Sequence, residues 1–368
     1  MLSILKFPSN VLTPPAGRAI VREPNARWAR GRATNTGLRL TVADVVVETP
    51  STRTFVLDAP DLTYAAGQHL TLMAKIDGKD MRRCYSFSTS PAAGGRPAVT
   101  VKRVEGGVFS NWLHDHLRVG DVVRATGVSG RFTVTPDVSA SRHLVLVAGG
   151  VGITPLISMA ETILGEETQS RVTLLYGSRS EAEMIFSVRL EEMSERYASR
   201  FRVETILEDG GDDRSARIGR LDGAKTVELL RGELPDGVYL CGPQPMMDSV
   251  VAALGQTGVE SHRIHLERFQ YAEAVATAKP TEPATLVFAA SKTTARSRVG
   301  VTILDAAEEA GIALPSSCRM GGCGACKVKI DGRVVSAEPN CLTEQERLEG
   351  YALACCSWGD GRVVLRDY

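Results

Sequence analysis

From Leu38 the chain alternates apolar and polar positions with a period of two. Leu38–Glu48, Thr52–Asp58, His69–Ile76, Met81–Ser88 and Ala98–Val104 carry β-branched or alternating apolar residues between Gly, Pro and Asp turns. This pattern predicts strands. A short helix, Ser110–Leu117, interrupts before Asp121–Thr126 resumes it, and strands of such regular length predict a closed antiparallel β-barrel. At His143 the period changes. His143–Ala148 is a continuous apolar run, followed by a Gly-rich turn and a helix over Pro155–Leu164. Strands Arg171–Tyr176, Phe201–Leu207 and Gly237–Cys241 then alternate with helices Glu181–Tyr197, Lys225–Arg231 and Met246–Gln256. Alternation of this kind predicts a parallel, doubly wound α/β sheet.

The expected organisation is multidomain. A basic arm spans 1–37, an antiparallel β-barrel 38–138, an α/β parallel-sheet unit 139–270, a Pro/Ala/Glu linker 271–284, and a small strand–helix–loop unit 285–368. The arm holds five arginines and one lysine against Glu23 and reads first as a poorly ordered terminus, with docking of an acidic partner as the second reading. The whole chain balances 43 basic against 43 acidic residues, so no broad nucleic-acid-binding field is expected. No apolar run reaches the roughly 20 residues of a membrane helix, and Met1–Leu12 lacks a small-residue cleavage site. The expected location is cytoplasmic.

Six of the eight cysteines lie from Cys318 onward, a crowding that points to metal rather than a disulfide framework. Cys318, Cys323 and Cys326 form C-x4-C-x2-C with a distant fourth cysteine, the plant-type [2Fe–2S] spacing. Gly321, Gly322 and Gly324 let such a loop wrap closely with its N–H groups toward sulfur. Zinc sites usually pair two C-x2-C knuckles, and only one is present. The adjacent Cys355 and Cys356 leave the fourth ligand open on spacing alone.

Two further motifs suit flavin and nicotinamide. Arg83-Cys84-Tyr85-Ser86 on a predicted strand offers a cation for phosphate, an aromatic face and a hydroxyl for the reactive nitrogen of an isoalloxazine. Gly106, Gly107 and Ser110 open a helix whose free N–H groups suit a pyrophosphate, which favours FAD over FMN. Gly67-Gln68 precedes the strand, and Gly130-Arg131-Phe132 follows the barrel. His69, next to Gly67-Gln68, reads first as an edge-strand histidine, with a place lining the flavin as the second reading. Gly149, Gly150, Gly152, Thr154 and Pro155 link a strand to a helix, as a dinucleotide turn does. Cys241-Gly242-Pro243 ends the last predicted strand, where open α/β sheets bind ligands. Arg179, with Ser178 beside it, could clamp a 2′-phosphate, though an exposed turn arginine need contact nothing. NADH is slightly favoured over NADPH.

The barrel and α/β unit resemble the ferredoxin–NADP⁺ reductase family at Arg83-x-Tyr85-Ser86, Gly107-x-x-Ser110, Gly130-Arg-Phe132 and the turn from Gly150 to Pro155. The last unit resembles plant-type ferredoxin domains, which implies a β-grasp fold. Their final ligand closes a Gly-Tyr-x-Leu-Ala-Cys run, here Gly350 to Cys355, which implies Cys318, Cys323, Cys326 and Cys355 as ligands and leaves Cys341 and Cys356 spare. The interval from Cys326 is one residue shorter than is common in that family, and a tightened Ile330–Val334 hairpin turning at Asp331-Gly332 would account for it. In domain order the chain looks like the reductase components of phenylacetyl-CoA epoxidase and 3-ketosteroid 9α-hydroxylase. Ser110-Asn-Trp-Leu113, Tyr176-Gly-Ser-Arg179 and His265-Leu-Glu-Arg-Phe269 carry that likeness and add Phe269 to the cofactor contacts. Phthalate-type reductases share the order but use FMN.

The resemblance implies electron transfer from NADH or NADPH through FAD to the cluster, and by transient docking to a Rieske or di-iron oxygenase. Tyr85, Ser86, Thr154 and Cys241 would stand at the hydride-transfer site. The rivals are a stand-alone diaphorase or ferric reductase, and a redox-sensing regulatory module. The intact nicotinamide turn, Thr154 and Cys241 argue against the sensor.

Overall fold

The computed structural model describes residues 37–209, 217–269, 279–319, 321–338, 340–342 and 344–367. The basic arm, apart from Gly37, and residues 270–278 of the linker region lie outside them.

The first sheet contains β1 (Leu38–Thr49), β2 (Thr52–Asp58), β3 (His69–Ile76), β4 (Lys79–Ser86), β5 (Ala98–Lys102) and β6 (Val122–Ser129), in the order β4-β3-β6-β1-β2-β5. A bridge between Phe87 and Val99 joins its two ends, so the barrel closes through one narrow seam. The inward positions Val42, Phe55, Leu57, Leu70, Leu72 and Val101 are fully buried, as the two-residue period requires. His69 lies on β3, an interior strand between β4 and β6, and is buried; the edge-strand expectation is corrected. Helix α1 (Val108–His116) starts two residues before the expected Ser110, because Gly106 turns the chain at φ +69° and Gly107 takes the cap position.

The second sheet is wholly parallel. Its strands are β7 (His143–Gly149), β8 (Arg171–Ser178), β9 (Phe201–Leu207), β10 (Arg217–Ile218), β11 (Gly237–Cys241) and β12 (Ile264–Glu267), in the order β10-β9-β8-β7-β11-β12. The order reverses between β7 and β11, which makes a crevice at their carboxyl ends. Helices α2 (Ile153–Glu166), α3 (Ser187–Arg196), α4 (Gly223–Leu230) and α5 (Gln244–Gln256) connect the strands. The helix expected over Glu181–Tyr197 is broken. Only a single 3₁₀ turn forms at Glu181–Glu183, and Phe186 enters α3 at φ +65°. Burying Ile185 and Phe186 in the core, with the Ile185 N–H donating to the Tyr176 hydroxyl (3.1 Å), outweighs continuous helix.

The third sheet holds β13 (Thr285–Phe288), β14 (Thr293–Arg296), β15 (Lys327–Ser336), β16 (Tyr351–Leu353) and β17 (Ser357–Asp367), ordered β14-β13-β17-β15-β16. β13 pairs parallel to β17, and α6 (Ile303–Glu309) packs Ile303, Leu304 and Ala307 into the core they share. A short α7 (Glu344–Leu348) precedes β16. This mixed sheet grasping one helix has the expected β-grasp form. The hairpin expected at Asp331-Gly332 is absent: β15 runs straight through, with a register shift against β17 between Asp331 and Arg333. Gly332 sits there at φ +124°, where a Cβ would stand 2.5 Å from the Arg362 carbonyl oxygen.

Candidate functional site

Strand alternation divides the Arg83–Ser86 motif between two faces. Tyr85 stacks on Phe109 of α1, with centroids 6.2 Å apart and planes at 28°, which ties the strand to the helix opened by Gly106 and Gly107. Gly107 makes no side-chain cap, so first-turn N–H groups remain for an anion. The Ser110 hydroxyl accepts from the Val104 N–H (3.2 Å) and braces this turn from behind. Arg83 is half-exposed beside Tyr85. Burial pushes the Tyr85 phenol above its ordinary range, keeping it neutral.

The glycine turn and the Cys241 segment meet because β7 and β11 are neighbours, with Ala148 opposite Cys241. Contact is so close that a Cβ on Gly152 would lie 2.0 Å from the Cys241 carbonyl oxygen, and one on Gly149 would lie 2.5 Å from Pro243. Thr154 donates to the Val151 carbonyl (3.1 Å), and Pro155 is buried in the first turn of α2. Above them opens a cleft of about 1130 Å³ lined by Gly149, Gly150, Gly152, Arg179, Gly242, Pro243 and Phe269 among others. It lies at the switch point of the sheet, where a dinucleotide is expected. Phe132 lies outside this cleft and lines a second one together with His69 and Glu267, its ring edge-on to Tyr239, 5.8 Å between centroids.

Sequence reasoning missed Glu267. It ends β12 opposite Cys241 and accepts a hydrogen bond from the Ser86 hydroxyl (3.3 Å), so barrel and α/β unit meet on one carboxyl group. Burial raises its pKa from 4.5 to about 8. The His69 ring stands 3.9 Å away, but burial lowers its pKa to about 4, so it brings no positive charge at neutral pH. Burial, with Glu267 nearby, also pushes the Cys241 thiol well up, so it acts as a neutral thiol rather than a nucleophile. An acid at the carboxyl end of the short, half-exposed edge strand β12 was the signal available in the sequence.

In the third unit the thiols pair. Cys318 touches Cys323, and Cys355 touches Cys326 on one side and its neighbour Cys356 on the other. The Gly321 N–H donates to the Cys355 sulfur (3.2 Å). Among the described residues no three metal-binding side chains converge on one point. Two pairs suit a binuclear cluster with two thiolates per iron, whereas one tetrahedral zinc needs four donors at a single centre. Cys356 is buried behind the loop, where a Cβ on Gly321 would come within 2.9 Å of its sulfur.

Comparison with known proteins finds three domain families in order along the chain. The oxidoreductase FAD-binding domain model matches residues 39–134, the oxidoreductase NAD-binding domain 146–252, and the 2Fe-2S iron-sulfur cluster binding domain 288–358. The chain is 33% identical to a component of the 1,2-phenylacetyl-CoA epoxidase of Escherichia coli, over 86% of its length and 93% of that protein. It belongs to the reductase components of oxygenase systems. The ferredoxin reductase component of 3-ketosteroid-9-alpha-monooxygenase from Mycobacterium tuberculosis is 34% identical, covering 90% of this chain and 96% of that one. Phthalate dioxygenase reductase shares the architecture, with TM-score 0.60 and 28% identity over 90% of this reductase and 98% of that chain.

The reductase moves electrons from a nicotinamide coenzyme through FAD to a [2Fe–2S] cluster and on to a partner oxygenase. No helix among the described residues is long and apolar enough to cross a membrane. When bound, the flavin takes electrons as a hydride pair and releases them singly, chemistry that belongs to the cofactors while the protein positions them. The residues around Tyr85 and Ser86 provide an aromatic face, neutral hydroxyls and a carboxyl held mostly protonated at neutral pH. Such a lining would suit a neutral ring system.

Proposed function

We propose that this reductase uses NADH in preference to NADPH and feeds a Rieske or di-iron terminal oxygenase in the cytoplasm by transient docking. Cys318 and Cys323 take one iron, Cys326 and Cys355 the other. Tyr85 and Ser86 flank the flavin ring, while Arg83, Gly106, Gly107 and Ser110 serve its diphosphate. Gly149, Gly150, Gly152 and Pro155 form the coenzyme turn, and Thr154 and Cys241 stand at the nicotinamide, with Gly242, Pro243 and Phe269 beside it. The two thiol pairs carry the electron-transfer reading, because a diaphorase without onward delivery has no use for them.

The coenzyme preference is supported by charge pairing on the cleft wall. Besides Arg179, the wall carries Lys102 and Arg220, which are held by Glu183 (2.9 Å) and Glu208 (3.4 Å). A dianionic 2′-phosphate would meet Arg179 next to these carboxylates. One charge-assisted contact is worth about 1.5–3 kcal/mol, roughly one to two decades in affinity. Steady-state kinetics with both coenzymes provide the test. NADH should give the higher kcat/KM, and Arg179→Ala should leave it nearly unchanged. A native preference for NADPH of roughly a hundredfold, lost in that variant, would reverse the assignment. Cytochrome c reduction with NADH should disappear when the cluster is removed while ferricyanide reduction persists. Persistence of both would mean a diaphorase.

A further inference from the structure

Cys84 is the one residue of the Arg83–Ser86 motif that the flavin and its phosphates leave unused, and it points away from Tyr85. On that side it meets Cys318, thiol to thiol. Thr71, its partner across β3 and β4, lies 3.2 Å from the Cys84 sulfur and shares a hydrogen bond with the hydroxyl of Ser317. Ser129 of β6 donates to the same Ser317 hydroxyl (3.0 Å) and contacts His69 Nε2 (2.9 Å). The residue just before Cys318 is therefore gripped by two barrel strands.

Thr71, His69 and Ser317 are sealed in, while Ser129 and Cys84 are half-buried at the edge of the seam. Thr71 is 0% exposed, His69 3% and Ser317 5%. Buried hydroxyls that lose their partners without gaining water are costly, so this seam has a defined closed state rather than a sliding contact. An exposed pair, Arg131–Glu346 at 3.8 Å, adds little across the same boundary.

We propose that Thr71 and Ser129 form a hydroxyl latch on Ser317 that seats the cluster loop beneath the flavin-binding strand, with Cys84 against Cys318 at the crossing point. These are positioning residues: they fix the ferredoxin unit in its electron-receiving position. The latch rests on the reading that Cys318 is a cluster ligand and that Arg83–Ser86 hold the flavin. It acts on only one step, passage of a single electron from flavin to cluster, and leaves hydride transfer into the flavin alone.

The test uses the full-length holoenzyme carrying Thr71→Val, Ser129→Ala or both. Hydrogen exchange of the 313–319 segment should lose protection by about tenfold per latch contact removed, the effect of one hydrogen bond on a local opening equilibrium. Rapid-mixing reduction of the cluster by NADH should slow, while ferricyanide reduction and the cluster's EPR signal stay at wild-type levels. Thr71→Ser should restore both protection and rate, which simple loss of packing would not allow. Should the double variant fail to load its cofactors, the isosteric Thr71→Val alone decides the matter. Wild-type protection and wild-type cluster reduction in the loaded variants would overturn the latch. Absence of the cluster signal or of ferricyanide activity in the unmutated protein would instead overturn the reading beneath it.

Discussion

Glu267 is a carboxyl group with a hydroxyl on one side and an uncharged imidazole on the other. Its folded pKa of about 8 lies above the ordinary 4.5, so the folded state holds the proton more tightly than the unfolded chain. Stability from that protonated carboxyl is therefore fully present below about pH 4.5 and is lost as pH rises through about 8. Glu267→Gln, which keeps the shape and removes the ionisation, should raise the melting temperature at pH 8. The expected gain is about 2–4 °C per kcal/mol. At pH 4.5 the change should vanish; an equal gain at both pH values would show that ionisation is not the cause. The cysteine pair offers a sharper contrast at the same scale. Cys355 faces Cys326 and receives the Gly321 N–H, while Cys356 is packed behind the loop. Cys355→Ser should abolish the [2Fe–2S] EPR signal and Cys356→Ser should spare it. The opposite pattern would transfer the ligand role to Cys356.

At the scale of elements, the β7–α2 turn lies against the end of β11 with no room for a side chain. Gly152→Ala would press a methyl into the Cys241 carbonyl, and such overpacking costs about 1–3 kcal/mol. NADH oxidation should fall while the FAD absorbance remains, because the barrel is untouched; loss of the flavin colour would mean that the two elements do not fold separately. The four central parallel strands were legible in the sequence as apolar-rich runs between turns, and β8, β9 and β11 fall at or within two residues of their expected limits, whereas the short strands β10 and β12 carry too little apolar pattern to be read. The break before α3 was not legible. Glu181–Tyr197 reads as good helix locally, and only the tertiary burial of Ile185 and Phe186 stops it. Asp331-Gly332 likewise has the composition of a tight turn, yet its glycine serves a close strand crossing. For the site, spacing revealed the thiols and glycines because their chemistry depends on local sequence. Glu267, Thr71 and Ser317 stayed hidden because their partners lie 181 and 246 residues away.

At the scale of the molecule, the chain leaves the coenzyme cleft at Phe269 and enters the third sheet at Thr285. A chain ending at 270 should remain yellow, carry FAD and reduce ferricyanide with NADH, yet fail to drive an oxygenase. A colourless or FMN-bearing product would contradict the flavin assignment. The reversal of strand order between β7 and β11 has a separate consequence, for how such a reductase can change over time. Gly152 and Cys241 flank the reversal itself, one after β7 and one at the end of β11, while Arg179, Glu208 and Arg220 follow β8, β9 and β10 farther out on the β7 side. Coenzyme identity and hydride geometry are thus inherited on separable stretches of chain. Drift in the loops after β8 to β10 can retune which coenzyme a cell's metabolism supplies, and selection need not rebuild the floor on which the reaction takes place.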